Sequence, residues 1–190
     1  MSAISYTSGN LAIVPQTTKD RLLEIYTKAS ENLQNNVDLL RKIPNFGELA
    51  RNFFLSCLNS QEQDNFTVHT LSDDLNIYAF CIIQFKGTRD GKDYYKLSSL
   101  TVNPEFKGSG HEKTLITNII SKCSESSCIY GFVPKSFENA AVYFSSLYKL
   151  NEISSSSDDF PEDPTDWLDD NGKTHLPINS WNCFWYPKKL

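Results

Sequence analysis

Apolar residues along this chain recur at three- and four-residue spacing in some stretches and in alternation or short unbroken runs in others. The change of period divides the chain into elements. Asn10–Val14 reads as a short strand ending at Pro15. Thr17-Thr18-Lys19-Asp20 then has the form of a capping box, with Thr17 as N-cap, and the helix it opens carries Leu22, Leu23, Tyr26 and Ala29 on one side. A polar stretch, Glu31–Asn36, leads to a second helical piece that Pro44 interrupts. Beyond it, Phe46, Leu49, Ala50, Phe53, Phe54, Cys57 and Leu58 give the strongest helical period in the chain.

The pattern then turns to strands. Asn65–Leu71 alternates, with Phe66 and Val68 on one face and Thr67 and His69 on the other. Ile77–Phe85 is apolar on both faces, as a strand covered on both sides requires. Asp90-Gly91 is a turn signal, and Tyr94–Val102 is the third strand of an antiparallel meander, closed by Asn103-Pro104. A helix follows with Leu115, Ile116, Ile119, Ile120 and Cys123 on one face, then a strand over Cys128–Val133 stopped by Pro134. Ala140, Tyr143, Phe144 and Leu147 mark another amphipathic helix, Leu150–Ile153 begins a strand, and Ser180–Tyr186 is a last strand rich in rings. This order predicts an α+β fold: a twisted mixed sheet, mostly antiparallel, with helices on both faces.

Composition narrows the function classes. The 190 residues suit one domain, 13% of them are aromatic, and the core is expected to be built around rings. Eighteen Lys and Arg against 23 Asp and Glu leave a net charge of −5, which argues against nucleic-acid binding by bulk charge. No apolar run approaches the roughly 20 residues of a membrane span, and the first residues do not form a signal peptide. The five cysteines, Cys57, Cys81, Cys123, Cys128 and Cys183, form no C-x-x-C pair, and His69, His111 and His175 lie far apart. Reduced thiols, no metal site and a cytoplasmic location are the expectation.

The chemistry begins where the third meander strand gives way to its helix. Lys107-Gly108-Ser109-Gly110 frees successive backbone N–H groups to turn toward one point, and the helix adds its unpaired first N–H groups and dipole. An anion such as a pyrophosphate is the natural guest, although a lone Gly-x-Gly is more often a tight turn. The stretch Leu100-Thr101-Val102-Asn103-Pro104-Glu105-Phe106-Lys107-Gly108-Ser109-Gly110 resembles the acetyl-CoA motif of the GNAT superfamily of N-acetyltransferases. Downstream, Glu138-Asn139-Ala140-Ala141-Val142-Tyr143-Phe144-Ser145-Ser146-Leu147-Tyr148 resembles the Asn-Ala-x-x-Phe-Tyr helix of that family, with one strand between the two matches.

That resemblance implies a single acetyltransferase-like domain over 1–190, with an acidic loop insertion at 154–172. It implies that acetyl-CoA is the acetyl donor and that a primary amine attacks the thioester directly. Backbone groups of Leu100, Thr101 and Val102 would meet the pantetheine arm, and those from Lys107 through Gly108, Ser109, Gly110 and His111 to Glu112 would cradle the pyrophosphate. Asn139 would reach the cofactor from the later helix, and a gap between Tyr94–Val102 and Cys128–Val133 would admit it. An N–H near Val102 would stabilise the oxyanion. The catalytic candidates are Tyr143, as acid for the leaving thiolate, and Ser98, as a hydroxyl that orders a water. Cys128 lies near the gap but nothing in the sequence activates it.

The chain departs from the family pattern in three places. Lys107 replaces the usual Arg or Gln and loses the planar fork. Glu112 stands where Gly or Ala is usual, and Phe144 stands where the family often has its acidic Tyr. Glu112, Phe144 and Ser98 keep a second class open: a catalytically degenerate protein on the same scaffold, sensing CoA or binding a protein partner. The acceptor is expected to be a small-molecule amine, polyamine-like or an amino sugar, or a basic protein segment. The acidic residues over Asp158–Asp170, with Trp167 among them, would attract its charge or simply form a solvated loop. The runs Tyr143–Tyr148 and Trp181–Tyr186 are candidates for a homodimer face, against the simpler reading of most of those rings as core.

Overall fold

Seven strands form one mixed sheet in a computed structural model that describes residues 3–33, 46–89, 91–124, 126–134, 151–153 and 181–186. In chain order the elements are β1 (Ser5–Asn10), α1 (Gln16–Leu33), α2 (Phe46–Leu58), β2 (Phe66–Ser72), β3 (Ile77–Arg89), β4 (Lys92–Val102), α3 (His111–Ser121), β5 (Ser127–Pro134), β6 (Asn151–Ile153) and β7 (Trp181–Tyr186). The strand order is β1-β2-β3-β4-β5-β7-β6. Every neighbouring pair is antiparallel except β4 and β5, which run parallel. The predicted α+β architecture, the meander and the α2 period are all present.

The N-terminal boundaries differ from those expected. The first strand ends at Asn10, and Leu11–Ile13 is a 3-10 turn whose N-cap is Asn10, its Oδ1 accepting from the Ala12 N–H at 2.8 Å. Leu11, fully buried, is drawn inward by that turn rather than by a strand. Thr17 is not the N-cap of α1. The helix starts at Gln16, directly after Pro15, whose carbonyl accepts from the Thr18 and Lys19 N–H groups. Pro15 is preset for a helix start and lacks the N–H that would go unpaired there.

Each face of β3 meets a separate core. On one face Phe80 and Ile82 pack with Leu22 and Ile25 of α1, Phe54, Cys57 and Leu58 of α2, and Phe66 and Val68 of β2. Rings dominate this side: Tyr26 stacks on Phe54 at 4.3 Å, and Phe54 meets Phe80 at 5.6 Å. On the other face Ala79, Cys81 and Ile83 pack with Leu115, Ile116 and Ile119 of α3, Leu71 and Ile129. A strand covered on both sides must be apolar at successive positions, which is why Ile77–Phe85 shows no alternation. Burial pushes the Cys81 thiol far above its ordinary range, so it behaves as a small core hydrophobe. Among the described residues Cys57, Cys81, Cys123 and Cys128 are all unbridged. No helix among them is long and apolar enough to cross a membrane.

At the sheet edge, on the α3 side, the Tyr6 hydroxyl and His69 Nδ1 share a hydrogen bond of 2.7 Å. The Lys122 ammonium lies 4.4 Å above the Tyr6 ring. Burial first, and the Lys122 charge second, push the His69 imidazole down to about 4. An unfolded His titrates near about 6.5, so below that pH the unfolded chain takes up the proton first. Stability from this site is complete above about pH 6.5 and is lost as the pH falls toward about 4, amounting to about 2 kcal/mol by about pH 5. His69→Gln is expected to flatten that dependence. Urea denaturation of both proteins at about pH 7.5 and about pH 5 measures it, and equal pH dependence in the two would contradict the assignment.

Candidate functional site

The parallel pairing of β4 and β5 covers only four positions, Asp93 with Ser127 through Lys96 with Tyr130. Beyond Lys96, β4 runs on to Val102 without β5, while β5 from Gly131 to Pro134 stays paired with β7. The two strands therefore part like a fork, and the free edge of β4 lies along the opening. The Asn103 N–H donates to the Tyr78 carbonyl at 2.9 Å, continuing the ladder in which Thr101 opposes Phe80. Backbone groups alternate in direction along an antiparallel ladder. Thr101 thus turns its N–H and C=O toward β3, and Leu100 and Val102 turn theirs toward the opening.

At the end of β4 the chain makes a 3-10 turn over Pro104–Phe106, capped by Asn103, whose Oδ1 accepts from the Glu105 N–H at 3.2 Å. The loop that follows reaches α3 through Gly108 at φ 85° and Gly110 at φ 74°. Residues with a side chain pay about 1–2 kcal/mol for that left-handed backbone. Space is not the reason for glycine here, since a Cβ on either would meet nothing within 4 Å. Gly110 is the N-cap of α3 and supplies no side-chain acceptor, so the first N–H groups of the helix are uncapped by side chains. Lys107 and Ser109 are exposed beside them, and Glu112 is half-buried in the first turn.

The loop is braced from below. The His111 ring lies 4.8 Å from Tyr78 and 6.5 Å from Phe106, and Tyr78 meets Phe106 edge-on at 4.6 Å. Tyr78 in turn donates its hydroxyl to Asp73 Oδ2 at 2.5 Å, while Asp73 Oδ1 accepts from the Leu75 and Asn76 N–H groups. That set of donors holds the Asp73 carboxyl below its usual range, the Tyr78 bond contributing most, and the same bond raises the Tyr78 hydroxyl.

A cleft of about 150 Å³ opens on the opposite face of the sheet, lined by Phe53, Ser56, Cys57, Ser60, Phe66, Gln84 and Ser98. Ser98 is the extra residue of a β-bulge: Ile82 pairs with Ser99 and Ile83 with Leu97. The bulge puts Ser98 and Ser99 on the same face, Ser99 Oγ lying 3.2 Å from Thr101 Oγ1.

The predicted positions thus separate. Leu100 and Val102 lie on the length of β4 that β5 leaves unpaired, and Lys107, Gly108, Ser109, Gly110, His111 and Glu112 form the loop and first helical turn that follow it. Thr101 has its side chain buried on the α1 and α2 face and its backbone turned to β3. Ser98 lines the cleft. Asn139, Tyr143 and Phe144, like Asp158–Asp170, lie outside the described residues. Sequence reasoning passed over Asp73 and Tyr78, although Asp73-Asp74-Leu75-Asn76 has the composition of an Asx turn. It also passed over Gln84, a polar residue ending an apolar run, and Gly131, a glycine inside a strand, which signals a close approach. Among the described residues no three His, Cys, Asp or Glu side chains group as metal ligands.

No family model and no curated protein sequence matches the chain. Solved structures do. An acetyltransferase from Corynebacterium glutamicum, described as histone acetyltransferase HPA2 and related acetyltransferase, superposes with a TM-score of 0.61 at 13% identity, covering 100% of this chain and 98% of that one. A GNAT-family acetyltransferase from Staphylococcus aureus gives 0.57 at 18% identity, covering 96% and 98%. The PaiA N-acetyltransferase of Thermoplasma acidophilum, in complex with coenzyme A, gives 0.50 at 12% identity, covering 95% and 98%. The chain has the fold of the GNAT acetyltransferases.

Gly131 sits at the crotch of the fork, where an added Cβ would come within 3.3 Å of Leu97 Cβ. Gly131→Ala is expected to cost about 1–2 kcal/mol, since neither strand can yield without disturbing a packed layer. Urea denaturation measures this, and a variant as stable as the parent would show that the crotch has slack.

Proposed function

We propose that the protein is an acetyl-CoA-dependent N-acetyltransferase. The observation that carries the reading is the succession of two features along the chain: a strand edge left open by the β4–β5 fork, and, at the end of the loop that leaves that strand, a helix N-terminus with no side-chain cap. An extended amide-bearing arm matches the first, and a pyrophosphate matches the second. The pantetheine and pyrophosphate of coenzyme A present both, and bound acetyl-CoA supplies an activated thioester. The neighbours named acetyltransferases and the one solved with coenzyme A support the same reading.

The residues divide the work. Leu100 and Val102 offer outward backbone groups to the amides of the arm. The N–H groups over Gly108–Glu112 meet the phosphate charge, and the Lys107 ammonium adds to it. The carboxylate of Glu112 opposes that charge, by about 1 kcal/mol or less where solvent screens it. The Val102 N–H is placed for the oxygen charge that develops as acyl transfer proceeds. The acceptor amine enters through the cleft on the far face, where Ser98 lies next to the first unpaired position of β4. Holding the amine against the thioester supplies much of the acceleration.

Titration calorimetry tests this with acetyl-CoA, coenzyme A and ATP as ligands. Both CoA species are expected to bind and ATP is not. In Gly110→Glu, the strain at φ 74° and the new carboxylate are expected to weaken acetyl-CoA at least tenfold, about 1.4 kcal/mol. Equal affinity in the variant would remove the phosphate role of the loop. Failure of acetyl-CoA to bind the parent protein would leave the scaffold to a partner-binding role.

A further inference from the structure

The loop between β4 and α3 is soft in its middle and held at its flanks. Gly108 and Gly110 bracket Ser109, and the N–H groups of these three residues make no backbone hydrogen bond among the described residues. Glycine gives up more backbone freedom than any other residue when it is fixed. A loop of this kind binds weakly unless its flanks are set before the ligand arrives. The start of the loop is set by backbone. The Asn103 N–H donates to the Tyr78 carbonyl at 2.9 Å, and Asn103 Nδ2 donates to the Ile77 carbonyl at 3.0 Å.

The rest of the loop is set by a side chain. The Tyr78 ring meets Phe106 edge-on at 4.6 Å and lies 4.8 Å from the His111 ring. Phe106 precedes the two glycines and His111 follows them, so one residue of β3 touches both flanks of the soft stretch. Tyr78 is half-buried, and its ring is fixed at the far end by its hydroxyl, which donates to Asp73 Oδ2 at 2.5 Å. Asp73 is itself held in the β2–β3 turn. Its Oδ1 accepts from the Leu75 N–H at 2.9 Å and the Asn76 N–H at 2.7 Å, and its own N–H donates to the Asn76 carbonyl at 2.9 Å. Arg21 of α1 donates to the Leu75 carbonyl in the same turn. The carboxylate is therefore an acceptor with a fixed position, and a bond to an ionised acceptor is the stronger kind.

We infer that Tyr78, held by Asp73, is a positioning residue for the cofactor: it fixes both flanks of Gly108–Gly110 and so presets the loop that takes the phosphates. The inference rests on the acetyltransferase reading above. Tyr78 acts through Phe106 and His111 and not by contact with the ligand. Apparent affinity falls in proportion to the fraction of molecules whose loop is competent, so a side chain that raises that fraction raises affinity. Replacing the side chain leaves the backbone bonds of Asn103 in place and frees only what lies beyond them.

Three variants of the full chain separate the parts. Tyr78→Leu removes the ring, and Tyr78→Phe keeps the ring and removes the hydroxyl. Asp73→Ser keeps an acceptor for the turn and is too short to reach Tyr78. Titration calorimetry is expected to find acetyl-CoA about tenfold weaker in Tyr78→Leu and about threefold weaker in Tyr78→Phe and in Asp73→Ser. Combining Asp73→Ser with Tyr78→Phe is expected to cost no more than Tyr78→Phe alone, because Asp73 acts through the hydroxyl. Amide exchange then separates positioning from a general loosening of the fold. In Tyr78→Leu without ligand, the Thr114 N–H, bonded to the Gly110 carbonyl at 3.1 Å, is expected to exchange about tenfold faster, while the Asn103 N–H keeps its rate. Saturating acetyl-CoA is expected to restore the slow exchange of Thr114. Full acetyl-CoA affinity in Tyr78→Leu overturns the inference, as does equal acceleration of Asn103 and Thr114. If Tyr78→Leu fails to fold, full affinity in both Tyr78→Phe and Asp73→Ser overturns it instead. These results leave the cofactor assignment standing. If acetyl-CoA does not bind the parent protein, the acetyltransferase reading falls and this inference with it.

Discussion

Past Lys96 and Tyr130, β4 and β5 cease to share backbone hydrogen bonds, and the rest of the molecule is arranged around that parting. A strand edge left open inside a sheet is costly unless its N–H and C=O groups find other partners. Here the break is held from both sides. β4 is fixed by its ladder with β3, which runs from Arg89 and Lys92 at the hairpin to Ala79 and Val102. β5 is fixed by six pairs with β7. Each strand keeps its outer ladder through the gap, so the opening lies inside the sheet and not at its outer edge.

Two cores, one on each face of β3, flank that opening. The α3 core seats the start of α3 against Tyr78 of β3, and the Asp73–Tyr78 bond braces the rings there. The α1 and α2 core places Ser56 of α2 and Ser60 just beyond it at the cleft that Ser98 of the bulge also lines. On the proposed reading, the donor and acceptor sites lie on opposite faces and meet where β4 has lost its neighbour. The bulge matters to this arrangement, because it turns Ser98 and Ser99 to one face and leaves Leu97 and Leu100 on the other.

The architecture was legible in the chain because its signals are local. The apolar run Ile77–Phe85 announces a strand covered on both faces, and the period through Phe54 and Leu58 announces α2. Gly108 and Gly110 mark the loop because only a few backbone shapes demand glycine twice in three residues. The errors at the N-terminus have the same origin. Leu11 and Ile13 look alike in sequence, but the turn capped by Asn10 buries the first and leaves the second 79% exposed. The cleft was not legible. Ser56 of α2, Ser60 in the segment after it, Gln84 of β3 and Ser98 of β4 meet only through helix packing and sheet register, and the bulge that aims Ser98 is a slip between two strands that neither strand records alone.

Amide hydrogen exchange on β4 tests the central claim most directly, because it reads the free edge itself. In the protein alone, the Leu100 and Val102 N–H groups are expected to exchange quickly, while Thr101, bonded across to β3, exchanges slowly. Saturating coenzyme A is expected to slow Leu100 and Val102 at least tenfold and to protect the N–H groups of Gly108–Glu112 with them. Leu100 and Val102 unaffected by a ligand that binds, with the protection found on α2 instead, would contradict the account.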